Sequence, residues 1–224
     1  FYKSGLTDII IPPNVMEIGY SAFSDCNDLK SVKLSGKLAS IESEVFYNCV
    51  SLTDVELPES LRKIEEYAFN GCSSLSSIKL PQGITSIESY AFSKCSNLVD
   101  IKLPENLNII GSFAFTGCTS LLGIKLPDKL ARIEMGAFRS CKNLASIGLP
   151  ESLEYIGQSA FTGCSNLAIY GNEGSYAQEY AKENTIPFRL LSLFGKVAAI
   201  TLTPSETTLN PGGTLLLEAA IAPA

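Results

Sequence analysis

A single spacing of 23 residues organises most of this chain. Leucine recurs at that interval at seven positions, from Leu6 to Leu144, and each leucine begins the same short pattern. Repeats of about 20–50 residues are typical of solenoids, in which each unit packs only on its neighbours. One unit alone buries too little apolar surface to offset the conformational entropy lost in ordering it. The sequence therefore predicts units that fold only by stacking.

Each unit contains a strand signal. In "LTDVELP", the apolar Leu52, Val55 and Leu57 alternate with polar residues, and Pro58 follows. Proline ends a strand because it cannot donate a ladder hydrogen bond. It occupies this place in six of the seven units, with Ser35 as the exception. Since no part of a unit has helical periodicity, we expect one strand per unit, each pairing in parallel with the next.

The seven cysteines occupy one column of the repeat. They are Cys26, Cys49, Cys72, Cys95, Cys118, Cys141 and Cys164. Stacked units place equivalent Cα atoms about 5 Å apart, but parallel side chains keep the Cβ atoms about as far apart, which is longer than a disulfide prefers. The sequence therefore favours free, buried thiols that pack as small hydrophobes over disulfides. A straight column also offers no tetrahedral cluster for zinc, and we expect no metal site.

Units such as "LTDVELPESLRKIEEYAFNGCSS" resemble the repeats of BspA-like bacterial surface proteins, the Treponema pallidum type, from Leu6 to about Leu167. The resemblance implies a leucine-rich repeat solenoid with a parallel β-sheet on the concave face, a mostly irregular convex side and a short C-terminal capping helix. It also implies an extracellular or cell-surface bacterial adhesin that binds a protein or glycan on a host or microbial surface. It implies no cofactor and no enzymatic activity. The alternatives are a structural spacer that displays other domains, or a non-catalytic carbohydrate-binding module.

Charge and composition exclude other classes of partner. The formal charge is −6, from 17 Lys and Arg against 23 Asp and Glu, so the chain lacks the basic balance of a nucleic-acid or anionic-membrane binder. No apolar run is long enough to insert into a membrane. Histidine is absent, so imidazole is not available for acid–base chemistry near neutral pH.

The outward-facing positions of the strands are the first candidate site. Three consecutive units carry Lys79, Lys102 and Lys125 at the same position. This row could bind an anionic ligand, or it could keep an exposed strand soluble while nearby aspartates neutralise it. The candidate ligand-binding residues of the concave face are Lys33, Asp54, Lys79, Asp100, Lys102 and Lys125.

A second candidate lies just before the Ala-Phe pair of each unit. Tyr67, Tyr90 and Phe113 occupy this column in consecutive units. The three rings could form an aromatic patch for protein or sugar, or they could stabilise the stack by packing on one another.

A third column contains Glu42, Glu65 and Glu88. Carboxylates about 5 Å apart match the spacing of a retaining glycosidase pair. That spacing follows automatically from the repeat, however, and nothing makes one carboxylate differ from the next as acid and nucleophile require. Nearby Arg62 and Lys63 offer charge compensation. The sequence therefore favours a protein without catalytic residues.

The pattern changes after Cys164. Ser175 to Asn184 should form a helix, with Ser175 and Gln178 as a capping box, and its apolar stripe should cover the last unit. We assign residues 1–190 to the array with its cap, and 191–224 to a linker and the truncated start of another domain. From about Gly195, two alternating apolar stretches around a Pro-Gly-Gly turn signal predict two strands. They resemble the opening of a bacterial Ig-like group 2 domain, and we expect the chain to be a fragment that begins inside a unit.

Overall fold

The computed structural model describes residues 1–34, 36–194, 200–204 and 217–221, and residues 1–194 form a parallel β-solenoid with one short helix near the C-terminal end. Eight strands, one per turn, form what we call the main ladder, and Phe188–Leu190 joins its last strand. The eight are Asp8–Ile11, Ser31–Leu34, Asp54–Glu56, Ser77–Lys79, Asp100–Lys102, Gly123–Lys125, Ser146–Gly148 and Ala168–Gly171.

The register of the main ladder follows the repeat. Ile9 lies opposite Val32, and Val32 lies opposite Val55, so residues 23 apart are direct partners. Val32 is buried while its neighbour Lys33 is exposed, as the alternation predicts. The solenoid prediction is confirmed. The expectation that every strand pairs with the next is wrong at two places, after Glu56 and after Lys102, where no β-bridge joins these three-residue strands to the next.

A second parallel ladder runs beside the first, so the expectation of one strand per unit is wrong. It consists of two-residue strands, which pair in parallel because equivalent residues of successive turns lie side by side. The paired strands form one sheet of two strands and one sheet of four. The strands are Ser40–Ile41, Lys63–Ile64, Ser86–Ile87, Ile109–Ile110, Arg132–Ile133 and Tyr155–Ile156.

The rest of each turn, which we call the turn side, has no regular secondary structure but is hydrogen-bonded to the next turn. The Phe69 amide donates to the Ala91 carbonyl at 2.8 Å, and the Phe115 amide donates to the Ala137 carbonyl at 2.7 Å. These two bonds join the same turns between which the main ladder is interrupted. Stacking therefore continues through the turn side where strand pairing stops.

The core is a file of phenylalanine rings. Rings of successive turns, from Phe23 to Phe161, stack with centroids 5.3–5.7 Å apart. Phe92 is fully buried, between Phe69 and Phe115. Offset stacking at this separation adds to the stabilisation from burial.

The cysteine column lies beside these rings. All seven thiols are free, as predicted, and six are buried, but Cys164 in the last unit is only partly buried. Each thiol also has a role that the sequence analysis missed, because it donates a hydrogen bond to a phenylalanine carbonyl of the preceding turn. Cys95 Sγ, for example, donates to the Phe69 carbonyl at 3.2 Å. Burial raises the pKa of the Cys118 thiol to about 12. The Cys118 thiol is therefore a protonated donor as well as a small apolar group.

The predicted capping helix is confirmed at Tyr176–Glu183, but its capping box is wrong in detail. The Ser175 hydroxyl donates to the Asn172 carbonyl, and the Gln178 side chain accepts from the Gly174 amide. Both side chains therefore brace the loop that enters the helix instead of bonding each other's amides.

The helix covers the last turn of the core. Its Ala177 and Ala181 are buried, and the Tyr180 ring packs edge-on against Phe161 with centroids 6.0 Å apart. Polar termini of this kind are what a solenoid needs to close its core.

Strands Ile200–Pro204 and Leu217–Ile221 pair antiparallel, in agreement with the two strands predicted after Gly195. The Pro-Gly-Gly turn signal lies outside the described residues, and the Ig-like assignment stays a prediction. Within the described part of the chain, no helix has the length and apolarity to cross a membrane.

Candidate functional site

The exposed side of the main ladder carries a row of lysines, which we call the lysine face: Lys79, Lys102 and Lys125. Lys79 and Lys102 are direct cross-strand partners, and Lys125 holds the equivalent position one turn further on. All three are exposed. None of them forms an ion pair in the part of the chain that the structure describes.

The neighbouring candidate residues are arranged differently. Lys33 is paired with its cross-strand partner Glu56 at 2.7 Å, and the hydrogen bond to Glu56 raises the pKa of Lys33. Asp54 and Asp100 are exposed but form no ion pair among the described residues. The acid that neutralises a lysine on this surface is therefore Glu56 rather than either aspartate, and it serves only Lys33.

The lysine face ends at Gly148, which holds the next position in the column. A Cβ atom there would lie 3.1 Å from Leu191 Cδ1 and 3.2 Å from Lys125 Cγ. The chain after the cap thus packs over the end of the main ladder, and the Phe194 ring contacts Tyr170 edge-on at 5.2 Å. The absence of a side chain at Gly148 makes room for this segment.

The aromatic candidates form a stack. The rings of Tyr67 and Tyr90 are 4.7 Å apart, and those of Tyr90 and Phe113 are 4.9 Å apart. All three residues are half-buried, with left-handed backbone angles φ of 57–59°. The far face of Phe113 lies over Gly136, where a Cβ atom would approach the ring to 2.4 Å. The rings therefore pack on one another, and each residue stays partly exposed.

Each glutamate of this column has a polar partner nearby. Glu42 and Glu88 accept hydrogen bonds from the serines two residues before them, Ser40 and Ser86. Glu65 is paired with Lys63 at 3.7 Å.

Arg62 plays no part in this compensation, since its guanidinium donates to the carbonyls of Glu59 and Leu61. Glu134 continues the glutamate column and accepts from Arg132 at 2.8 Å, a member that the sequence analysis missed. Each carboxylate of this column thus has a partner two residues earlier in the chain, as expected of a solvated structural surface.

The sequence analysis also missed an open pocket of about 530 Å³ on the turn side, near the first turns. Three tyrosines, Tyr2, Tyr20 and Tyr47, line it together with Asp25 and Glu44. The tyrosines come from different columns of the repeat, so no column pattern could have brought them together.

Comparisons with known proteins agree with this geometry. BspA type leucine-rich repeat regions match residues 1–108 and 85–185 in six copies. A leucine-rich repeat protein of Treponema pallidum is 35% identical, with a TM-score of 0.61 over 74% of this chain and 69% of that one. A leucine-rich repeat protein from Bacteroides ovatus is 25% identical, with a TM-score of 0.52 over 82% of this chain and 66% of that one. No curated protein matches the chain significantly. The chain belongs to the BspA type leucine-rich repeat family.

Proposed function

We propose that this chain is part of a bacterial surface protein and acts as a binding scaffold, an adhesin whose lysine face holds an acidic segment of a partner protein. The observation that carries the proposal is the row of exposed Lys79, Lys102 and Lys125 without ion-pair partners among the described residues. Like charges placed directly opposite across a ladder destabilise it. An anionic partner would relieve the repulsion between Lys79 and Lys102, and it would also gain from the third charge, Lys125, one turn further on.

Exposed apolar residues close in sequence to two of the lysines favour a protein partner over a glycan. Val99 and Leu122 are 47% and 58% exposed, and each lies just before a lysine-bearing strand. Such side chains offer contacts for the apolar residues of a partner protein, whereas a sulfated glycan would use only the charges. The family is one of surface proteins, which supports a location at the cell surface.

The test compares two triple variants in the full chain. The first changes Lys79, Lys102 and Lys125 to Glu, and the control changes Lys94, Lys129 and Lys142 to Glu, which alters the net charge equally at exposed sites away from the lysine face. The probes are poly-L-glutamate, heparin and a panel of matrix proteins and glycans, measured at low and physiological salt. We expect poly-L-glutamate and acidic matrix proteins to bind the unchanged chain, and the first variant to weaken that binding at least tenfold.

Three results would count against the proposal. Equal weakening by both variants would show an effect of net charge alone. Binding of heparin without binding of any acidic protein would favour the carbohydrate-binding alternative. Binding of nothing in the panel would favour the structural spacer.

A further inference from the structure

The pocket on the turn side combines aromatic walls with two carboxylates. Tyr2 and Tyr20 are 57% and 65% exposed, so their rings are available to a ligand. Asp25 and Glu44 are half-buried in the same pocket. Neither carboxylate forms an ion pair with any residue that the structure describes.

The hydrogen bonds of the two carboxylates come from neutral groups. Asp25 accepts from the Asn48 amide at 3.1 Å, and Glu44 accepts from the Ser21 hydroxyl at 2.8 Å. These bonds hold the carboxylates in place without cancelling their charge. A half-buried pair of carboxylates in this condition favours a cation.

The aromatic rings favour the same class of ligand. Lys3 Nζ lies 4.9 Å from the centroid of the Tyr2 ring and its charge also acts on Asp25, so this ring attracts an ammonium group, and a ligand would displace Lys3 from it. The stacked aromatic residues differ from the pocket tyrosines, because the ring faces of Tyr67, Tyr90 and Phe113 contact one another. Among the described rings, Tyr2, Tyr20 and Tyr47 do not stack on one another, and Tyr47 contacts Tyr67 edge-on with centroids 6.5 Å apart.

We propose that the pocket lined by Tyr2, Tyr20, Tyr47, Asp25 and Glu44 binds an alkylammonium group, such as a methylated lysine side chain or a choline headgroup. The carboxylates supply the charge, and the tyrosine rings contact the methyl groups through cation–π attraction. The site lies on the turn side and does not depend on the lysine face.

The test is a titration of the full chain, with ring-labelled tyrosine, by tetramethylammonium and choline, followed by NMR. The matched probe is 3,3-dimethylbutan-1-ol, which has the shape of choline without its charge. We expect saturable shifts of pocket tyrosine signals in the millimolar range, and at least fivefold weaker binding of the neutral isostere. A trimethyllysine peptide and phosphocholine distinguish the two sources, and binding of either supports the proposal.

The variants Tyr20→Ala and Glu44→Gln should each weaken choline at least threefold. Tyr20 is mostly exposed, so its loss should leave the thermal unfolding of the chain unchanged. Tyr155→Ala is the control, because Tyr155 does not line the pocket, and this variant should bind choline normally. The proposal is overturned if the isostere binds as well as choline, if no probe saturates, or if neutral sugars shift the same tyrosines instead. The triple lysine variant should retain choline binding, so failure here and failure of the lysine face are distinguishable.

Discussion

Truncation of one ring in the phenylalanine file tests whether stacking between turns holds this solenoid together. Phe92 is fully buried and has ring neighbours on both faces, at 5.4 Å and 5.6 Å. Phe92→Ala removes the burial of the ring, leaves a cavity and breaks both stacked pairs. We expect the free energy of unfolding to fall by about 4 kcal/mol, of which up to about 2 kcal/mol comes from the stacked pairs.

Phe1→Ala is the matched control. Phe1 belongs to the same file and stacks on Phe23 at 5.4 Å, but it is 74% exposed and has one ring neighbour. Because little area is buried and no closed cavity forms, the loss should be about 1 kcal/mol or less.

The assay is urea unfolding followed by far-ultraviolet circular dichroism, with hydrogen exchange to locate the damage. The amides of Phe69 and Phe92, which donate to the next turn, should lose protection first in Phe92→Ala. If the two variants lose equal stability, or if Phe92→Ala loses less than about 1.5 kcal/mol, the ring file is not the stabilising element we infer.

Other predictions follow from the thiols and the turn side. In the native chain, Cys118 should react with Ellman's reagent at pH 8 far more slowly than in urea, because burial raises its pKa to about 12. Because the pKa of Cys118 is higher in the folded state than in the unfolded state, its contribution to the free energy of unfolding is fully present below about pH 9 and is lost as the pH rises toward 12. Urea unfolding measured across that pH range follows the decline. A free energy of unfolding that does not change with pH would contradict the burial of this thiol. Gly136→Ala should lower stability by about 2–3 kcal/mol, because the new Cβ meets the Phe113 ring at 2.4 Å. Gly117→Ala, also at positive φ but with no neighbour closer than 3.8 Å, should cost about 1 kcal/mol, and equal losses in thermal melts would refute the steric argument.

Much of the fold could be predicted because the repeat places equivalent residues of successive turns next to each other. The burial of Val32 and the exposure of Lys33 follow from alternation, and their partners in the next turn follow from the period. The capping helix was also predictable, since a change of period and a polar N-terminal residue are local signals. The hydrogen bond of the Ser175 hydroxyl could not be predicted, because several acceptors lie nearby and their positions depend on the conformation of the loop.

The candidate sites were predictable only in part. The columns identified Lys79, Lys102 and Lys125, but they did not show that Glu56 serves Lys33 alone. One weak signal in the sequence pointed to the hydrogen bonds of the thiols, namely that cysteine occupies all seven copies of its column. A purely apolar position would tolerate Ala or Val in some of these copies. The columns held no signal for the tyrosine pocket.

The sequence by itself determined which residues are neighbours one turn apart, because a constant period of 23 leaves a single register in which all apolar columns are buried. The tertiary structure decided what happens between columns and at the ends. There, Tyr2, Tyr20 and Tyr47 surround one pocket and Leu191 reaches back over Gly148. The physical reason is that contacts within a column depend on spacing along the chain, whereas contacts between columns depend on the path of each turn and on side-chain rotamers, which no repeat encodes.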